Sequence, residues 1–205
     1  MNATEKAYII APDYFYREKY NGEADLMLLS ELDDRFSYRE EVLPALPIVF
    51  RQQHVLPSGA GMLTVEGNYS SLAVLSNALV DILNRASRTA VAAFPAKLEG
   101  NSDFDYAVIH APVLDIFDWG RSEYDPSKVI SAKNGNKFIN NVKRYEFTLE
   151  QTELPALFRL KSALGPLFIR SDLRSVLNKE GARGIAYMRA GNHSVNNQPV
   201  TDIPL

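Results

Sequence analysis

The chain has 205 residues, 46% of them hydrophobic, 10% aromatic and 23% charged, enough apolar material for one large domain or two small lobes with a proper core. It contains no cysteine, which excludes disulfides, thiolate metal centres and cysteine nucleophiles and fits a reducing compartment, the cytoplasm by default. The net charge of −3 argues against general nucleic-acid binding, the first residues lack the basic and apolar regions of a secretory signal, and no apolar run approaches the roughly 20 residues that span a bilayer.

Short apolar or alternating runs bounded by Pro, Gly or Asn predict strands over 7–11, 47–52, 62–66, 91–98, 106–111, 138–148, 157–160, 167–169 and 184–188. Several follow one another with no helix between them, so the sheet is expected to be largely antiparallel or mixed. A helical pattern over 23–41, carried by Leu26, Leu29, Leu32 and Phe36, stops at the break made by Pro44 and Pro47. Over 70–85, Leu72, Leu75, Leu79, Ile82 and Leu83 recur at spacings of three and four, with Ser70 or Ser71 at the start and Arg85 and Arg88 at the end, which predicts a helix docked on a sheet. A second helix is predicted over 172–180, capped by Ser171, buried through Leu173, Val176 and Leu177, and stopped by Gly181 where a left-handed residue is wanted. Residues 191–205, polar, Asn-rich and broken by Pro199 and Pro204, read as a poorly packed tail. The expected fold class is α+β, with 1–190 forming a single domain or two lobes that meet near residue 90.

Little of this pattern is equipped for chemistry. The only histidines are His54, His110 and His193, none at metal-ligand spacing from another, and all three read as structural or solvated. The loop Pro57-Ser-Gly-Ala-Gly-Met lacks the Gly-Lys-Ser/Thr ending of a phosphate loop and the third glycine of a dinucleotide fingerprint, so it reads as a turn into the strand at 62–66. No bound metal or organic cofactor is expected. The segment Val113-Leu-Asp115-Ile-Phe-Asp118-Trp-Gly-Arg121-Ser-Glu123-Tyr-Asp125 gathers four carboxylates, an arginine and the only tryptophan. Asp115, Asp118 and Glu123 could serve acid–base or metal chemistry, or be solvated and cap backbone groups in a surface turn. Trp, Tyr and Arg are also the residues that most often anchor protein interfaces, which makes Asp118, Trp119, Arg121, Glu123 and Tyr124 candidate partner-binding residues.

Charge is unevenly spread. Acidic residues dominate the first fifty positions, with Glu31, Asp33, Asp34, Glu40 and Glu41 as the candidate acidic patch, whereas Lys and Arg outnumber Asp and Glu over 131–190.

The run from Phe104-Asp-Tyr-Ala-Val-Ile-His through Asp118-Trp-Gly-Arg-Ser-Glu-Tyr resembles a family of bacterial immunity proteins of polymorphic toxin systems, formerly a domain of unknown function. Lys143-Arg-Tyr-Glu-Phe, Leu157-Phe-Arg-Leu, Leu167-Phe-Ile-Arg-Ser-Asp-Leu and Gly181-Ala-Arg-Gly-Ile-Ala-Tyr continue the likeness in order, so that it covers residues 104–190. The resemblance implies stoichiometric binding of a cognate toxin or effector inside the producing cell, in interbacterial competition of the type VI secretion kind, without catalysis or cofactor. Its partner would be a protein, neither nucleic acid nor membrane, and a homodimer is left open. Two other readings stand beside it: a small carboxylate-based metal-dependent enzyme, and a housekeeping adaptor with no toxin partner.

Overall fold

The computed structural model describes residues 6–12, 24–32, 44–54, 56, 61–66, 72–87, 90–101, 103, 105–139 and 142–190. In chain order they form β1 (Ala7–Pro12), β2 (Leu26–Leu28), β3 (Ile48–Gln52), β4 (Met62–Leu63), β5 (Ala73–Ser76), α1 (Asn77–Ala86), β6 (Ala93–Leu98), β7 (Tyr106–Ile109), β8 (Val113–Leu114), β9 (Val129–Ser131), β10 (Lys137–Ile139), β11 (Leu157–Leu160), β12 (Ala163–Arg170), α2 (Ser171–Lys179) and β13 (Ile185–Arg189). The fold is α+β. Its two larger sheets are mixed, with orders β2-β3-β6-β7-β5-β4 and β13-β1-β12-β11-β8 and parallel pairings of β3 with β6 and β8 with β11, and β9-β10 is an antiparallel pair. No helix among the described residues is long and apolar enough to cross a membrane.

The six-stranded sheet curls until its two edges meet. The Leu26 amide donates to the Thr64 carbonyl at 3.0 Å and the Glu66 amide donates to the Leu26 carbonyl at 2.9 Å, a parallel bridge between Leu26 and Val65 that joins the two edges into a small barrel. Alternation then sorts the side chains: Ile48, Phe50, Leu63, Val74 and Val108 fill the interior, while Ala73, Leu75, Ala107 and Ile109 point outward. The outward set packs with Leu79, Leu83, Leu173 and Leu177 of the two helices and with Ile10, Leu157, Leu167 and Ile169 on one face of the five-stranded sheet. The opposite face of that sheet, through Ala7, Ile9, Phe158, Leu160 and Phe168, is covered by Phe117, Ile139, Val142, Tyr145 and Phe147. The strands on either side of residue 90 belong to the same barrel, and the chain passes to the other sheet between Ile109 and Val113.

Four sequence expectations are corrected. The helix expected over 70–85 begins only at Asn77, because Ser76 is its cap, its hydroxyl accepting the Leu79 amide at 3.3 Å. Leu72 and Leu75 lie before the helix, in a run buried on both faces where β5 pairs with β7 and β4, so their helical spacing was coincidental. The helical pattern over 23–41 fails at its start, where Leu26–Leu28 is a strand paired with β3, and positions 33–43 lie outside the described residues, as does the tail 191–205. The strand expected over 138–148 ends at Ile139; among the described residues beyond it the ladder gives way to isolated bridges, Glu123 with Arg144 and Phe117 with Phe147. The second helix runs Ser171–Lys179 with Arg170 in the cap position, so Ser171 is its first residue, and Gly181 has the expected left-handed φ of 75°.

Gly61, from the loop read as a turn, lies where the barrel meets the C-terminal segment. A Cβ there would collide with the Arg183 carbonyl, and the next amide, Met62, donates to the Gly184 carbonyl at 3.2 Å.

Candidate functional site, an aromatic turn on the outer layer

Residues 117–125 form a tight turn on the layer that covers the five-stranded sheet. Its base is tied by the Asp118 amide donating to the Glu146 carbonyl at 2.9 Å and by the Ser122 hydroxyl accepting the Glu146 amide at 3.0 Å. Asp118 organises the rest. One carboxylate oxygen accepts the amides of Gly120 and Arg121, both at 3.0 Å, and the other accepts the Arg121 Nε–H at 2.6 Å. Arg121 also donates through Nη2 to the Phe147 carbonyl at 2.9 Å, and Arg144 donates back to the Arg121 carbonyl at 3.1 Å. The Arg121 hydrogen bond holds the Asp118 carboxyl below the usual carboxylate range, and the same contact raises the Arg121 guanidinium. Asp125 is likewise lowered, by the Ser127 hydroxyl and amide that it caps.

Above this frame stand the aromatic rings. Trp119 meets Phe117 edge-on at 4.8 Å and Tyr124 at 5.5 Å, and the Tyr124 hydroxyl donates to the Trp119 carbonyl at 3.3 Å. Phe117 in turn contacts Tyr145, which contacts Phe168, so the half-buried Trp119 is the outer end of an aromatic run into the core. The Lys137 Nζ lies 5.8 Å from the centre of the Trp119 ring. Beside it is a shallow cleft of about 180 Å³, lined by Asp115, Trp119, Asn136, Lys137 and Lys161 among others.

Of the residues singled out in the sequence, Asp118, Trp119, Arg121, Glu123 and Tyr124 come together in this turn. Glu31 is exposed just after β2 and belongs to the barrel; Asp33, Asp34, Glu40 and Glu41 lie outside the described residues. The residues weighed for enzyme chemistry do not converge: the Asp115 carboxylate pairs with Lys161 at 3.4 Å, that of Asp118 with Arg121, and the exposed Glu123 is held through its backbone, bridged to Arg144. Among the described residues no group of three His, Asp or Glu side chains is placed to hold a metal ion.

One polar cluster escaped the sequence reading. Asp25, only 4% exposed, accepts the Thr64 amide at 2.7 Å and the Thr64 hydroxyl at 2.8 Å, and its other oxygen lies 3.1 Å from His54 Nε2. It sits at the barrel seam, where it clasps strands far apart in the chain. Only the closure of the barrel brings these residues together. A larger cleft, about 370 Å³, opens between the start of α1 and the exit of α2 past Ser76, Asp105 and Arg183.

Compared with protein-family models and with curated protein sequences, the chain finds no significant match.

Proposed function

We propose that this protein works by binding another protein stoichiometrically, as an immunity protein that neutralises a cognate bacterial toxin in the producing cell, with the turn 117–125 at the interface. The observation that carries the reading is the pairing of a partly exposed Trp119 and an exposed Arg121 with a frame that leaves them little freedom. Interface anchors of this kind contribute most when the cost of ordering them has been met in the free protein. Of the carboxylates in the same segment, Asp118 holds the turn and Asp115 pairs with Lys161 rather than converging with it on a reacting centre, which favours binding over catalysis. The immunity role itself rests on the resemblance over 104–190.

The test is co-purification with the product of a neighbouring toxin gene. The wild-type chain is expected to form a stable complex and to protect cells that express the toxin. Absence of any complex, with both proteins folded, would remove the proposal.

A further inference from the structure

The hairpin formed by β9 and β10 belongs to neither of the two larger sheets, and among the described residues no other strand pairs with the outer edge of β9. Lys137 pairs with Ser131, Phe138 with Ile130 and Ile139 with Val129. The Ala132 amide donates to the Asn136 carbonyl at 2.8 Å. Because bonded and non-bonded pairs alternate in an antiparallel ladder, Val129 and Ser131 turn their backbone groups away from β10. On the far side of β10 the Ile139 amide donates to the Ser162 carbonyl at 2.8 Å, which ties that end of β10 to the turn between β11 and β12. On β9 the Val129 amide is used by the Pro126 carbonyl, while the Ser131 amide and carbonyl make no backbone hydrogen bond outside the ladder among the described residues. Ile130, between them, is 58% exposed.

The charge around this edge is mainly positive. Lys128, Lys133, Lys137 and Lys143 are exposed, and none of them enters an ion pair among the described residues. Of the neighbouring acids, Asp118 is paired with Arg121, Glu146 with Arg144 and Asp115 with Lys161, while Asp125 caps Ser127 close to Lys128 and Lys143, and Glu123 is exposed.

We propose that the outer edge of β9 docks an extended acidic segment of a protein partner by strand addition, with Ile130 as its apolar contact and the lysines pairing with the segment's carboxylates. The inference rests on the protein-binding function proposed above and gives the partner's chemistry. A second copy of this chain is the wrong occupant, because edge-to-edge pairing would set lysine against lysine. A nucleic acid fits less well, since strand addition uses amide and carbonyl groups that a phosphate backbone does not offer in register. The polarity is opposite to a basic partner facing residues 31–41.

The experiment uses the whole isotope-labelled protein and a synthetic peptide of alternating glutamate and isoleucine. That peptide is expected to shift the amide resonances of Val129, Ile130 and Ser131 and the emission of Trp119, the chain's single tryptophan, and to do so less as salt rises. Its lysine–isoleucine counterpart should shift neither, and methylating the peptide's backbone nitrogens should abolish binding. Lys133→Glu combined with Lys137→Glu, both on an exposed hairpin, should weaken the peptide roughly tenfold. Shifts that map elsewhere, unchanged binding of the methylated peptide, or displacement of the peptide by a single-stranded oligonucleotide overturns the proposal. So does concentration-dependent broadening of the hairpin amides without peptide, which would make the edge a contact between copies. Because the probe needs no toxin, failure of the peptide alongside intact complex formation through Trp119 rejects edge docking alone, whereas peptide binding with no toxin complex rejects the immunity reading alone.

Discussion

Asp118 shows how one side chain can fix the geometry of a surface turn. Its two oxygens hold two turn amides and the Arg121 guanidinium, and that guanidinium is in turn fixed on the Phe147 carbonyl. A carboxyl whose folded pKa is lowered stabilises the protein fully above its unfolded value, near 4, and loses that contribution as the pH falls through the folded value. Urea stability measured against pH should therefore fall more steeply on acidification for the wild type than for Asp118→Asn, which should be less stable at neutral pH and flatter below about pH 4. Parallel curves would show that Arg121 does not hold this carboxylate in solution. The residue types of this turn were legible in the sequence, because Trp, Arg and Tyr within one short acidic run are conspicuous. The bonds were not, since Phe147, Arg144 and Glu146 approach it only after the chain has crossed the covering layer. Nor could the sequence tell surface charge from buried charge. Asp25 and Arg159 were counted in the acidic and basic halves, yet both are buried, and burial lowers the Arg159 pKa to about 10.

Elements were legible where one pattern fills a segment and obscured where two patterns run together. Helix α2 announced itself through Leu173, Leu177 and Gly181, and β11 through a compact run. Segment 72–83 mixes a doubly buried strand with an amphipathic helix, and its leucines form a single stripe on paper. The cap separates the two: Ser76→Ala should cost about 1 kcal/mol in a denaturation experiment, as loss of a helix cap does. Leu79→Ala and Leu177→Ala should each cost roughly 2–5 kcal/mol, because both side chains are buried between the barrel and the five-stranded sheet. An unchanged melting temperature for either would mean that the helix does not dock there. Gly61→Ala should destabilise by a mechanism no helix or strand propensity contains, the collision of a new methyl group with the Arg183 carbonyl, and should loosen the amide of Met62 in hydrogen exchange.

At the scale of the whole molecule, a closed barrel, a layer of two helices and a five-stranded sheet stack so that the aromatic turn lies on the side of that sheet away from the barrel. Period-two alternation told which residues are buried but not that a sheet would close on itself, since closure depends on the Leu26–Val65 bridge and on the Asp25 clasp, both made between residues distant in sequence. This layering separates the two faces first considered for partner binding, with Glu31 on the barrel and Trp119 on the outer cover. The kinetics of the complex with the cognate toxin, measured for Trp119→Ala and Glu31→Lys side by side, test the central claim most directly. Trp119→Ala should raise the dissociation rate roughly thirtyfold, the equivalent of about 2 kcal/mol for a buried anchor, with both variants folded and Glu31→Lys dissociating as the wild type does. A wild-type dissociation rate for Trp119→Ala would contradict it and move the interface off the turn.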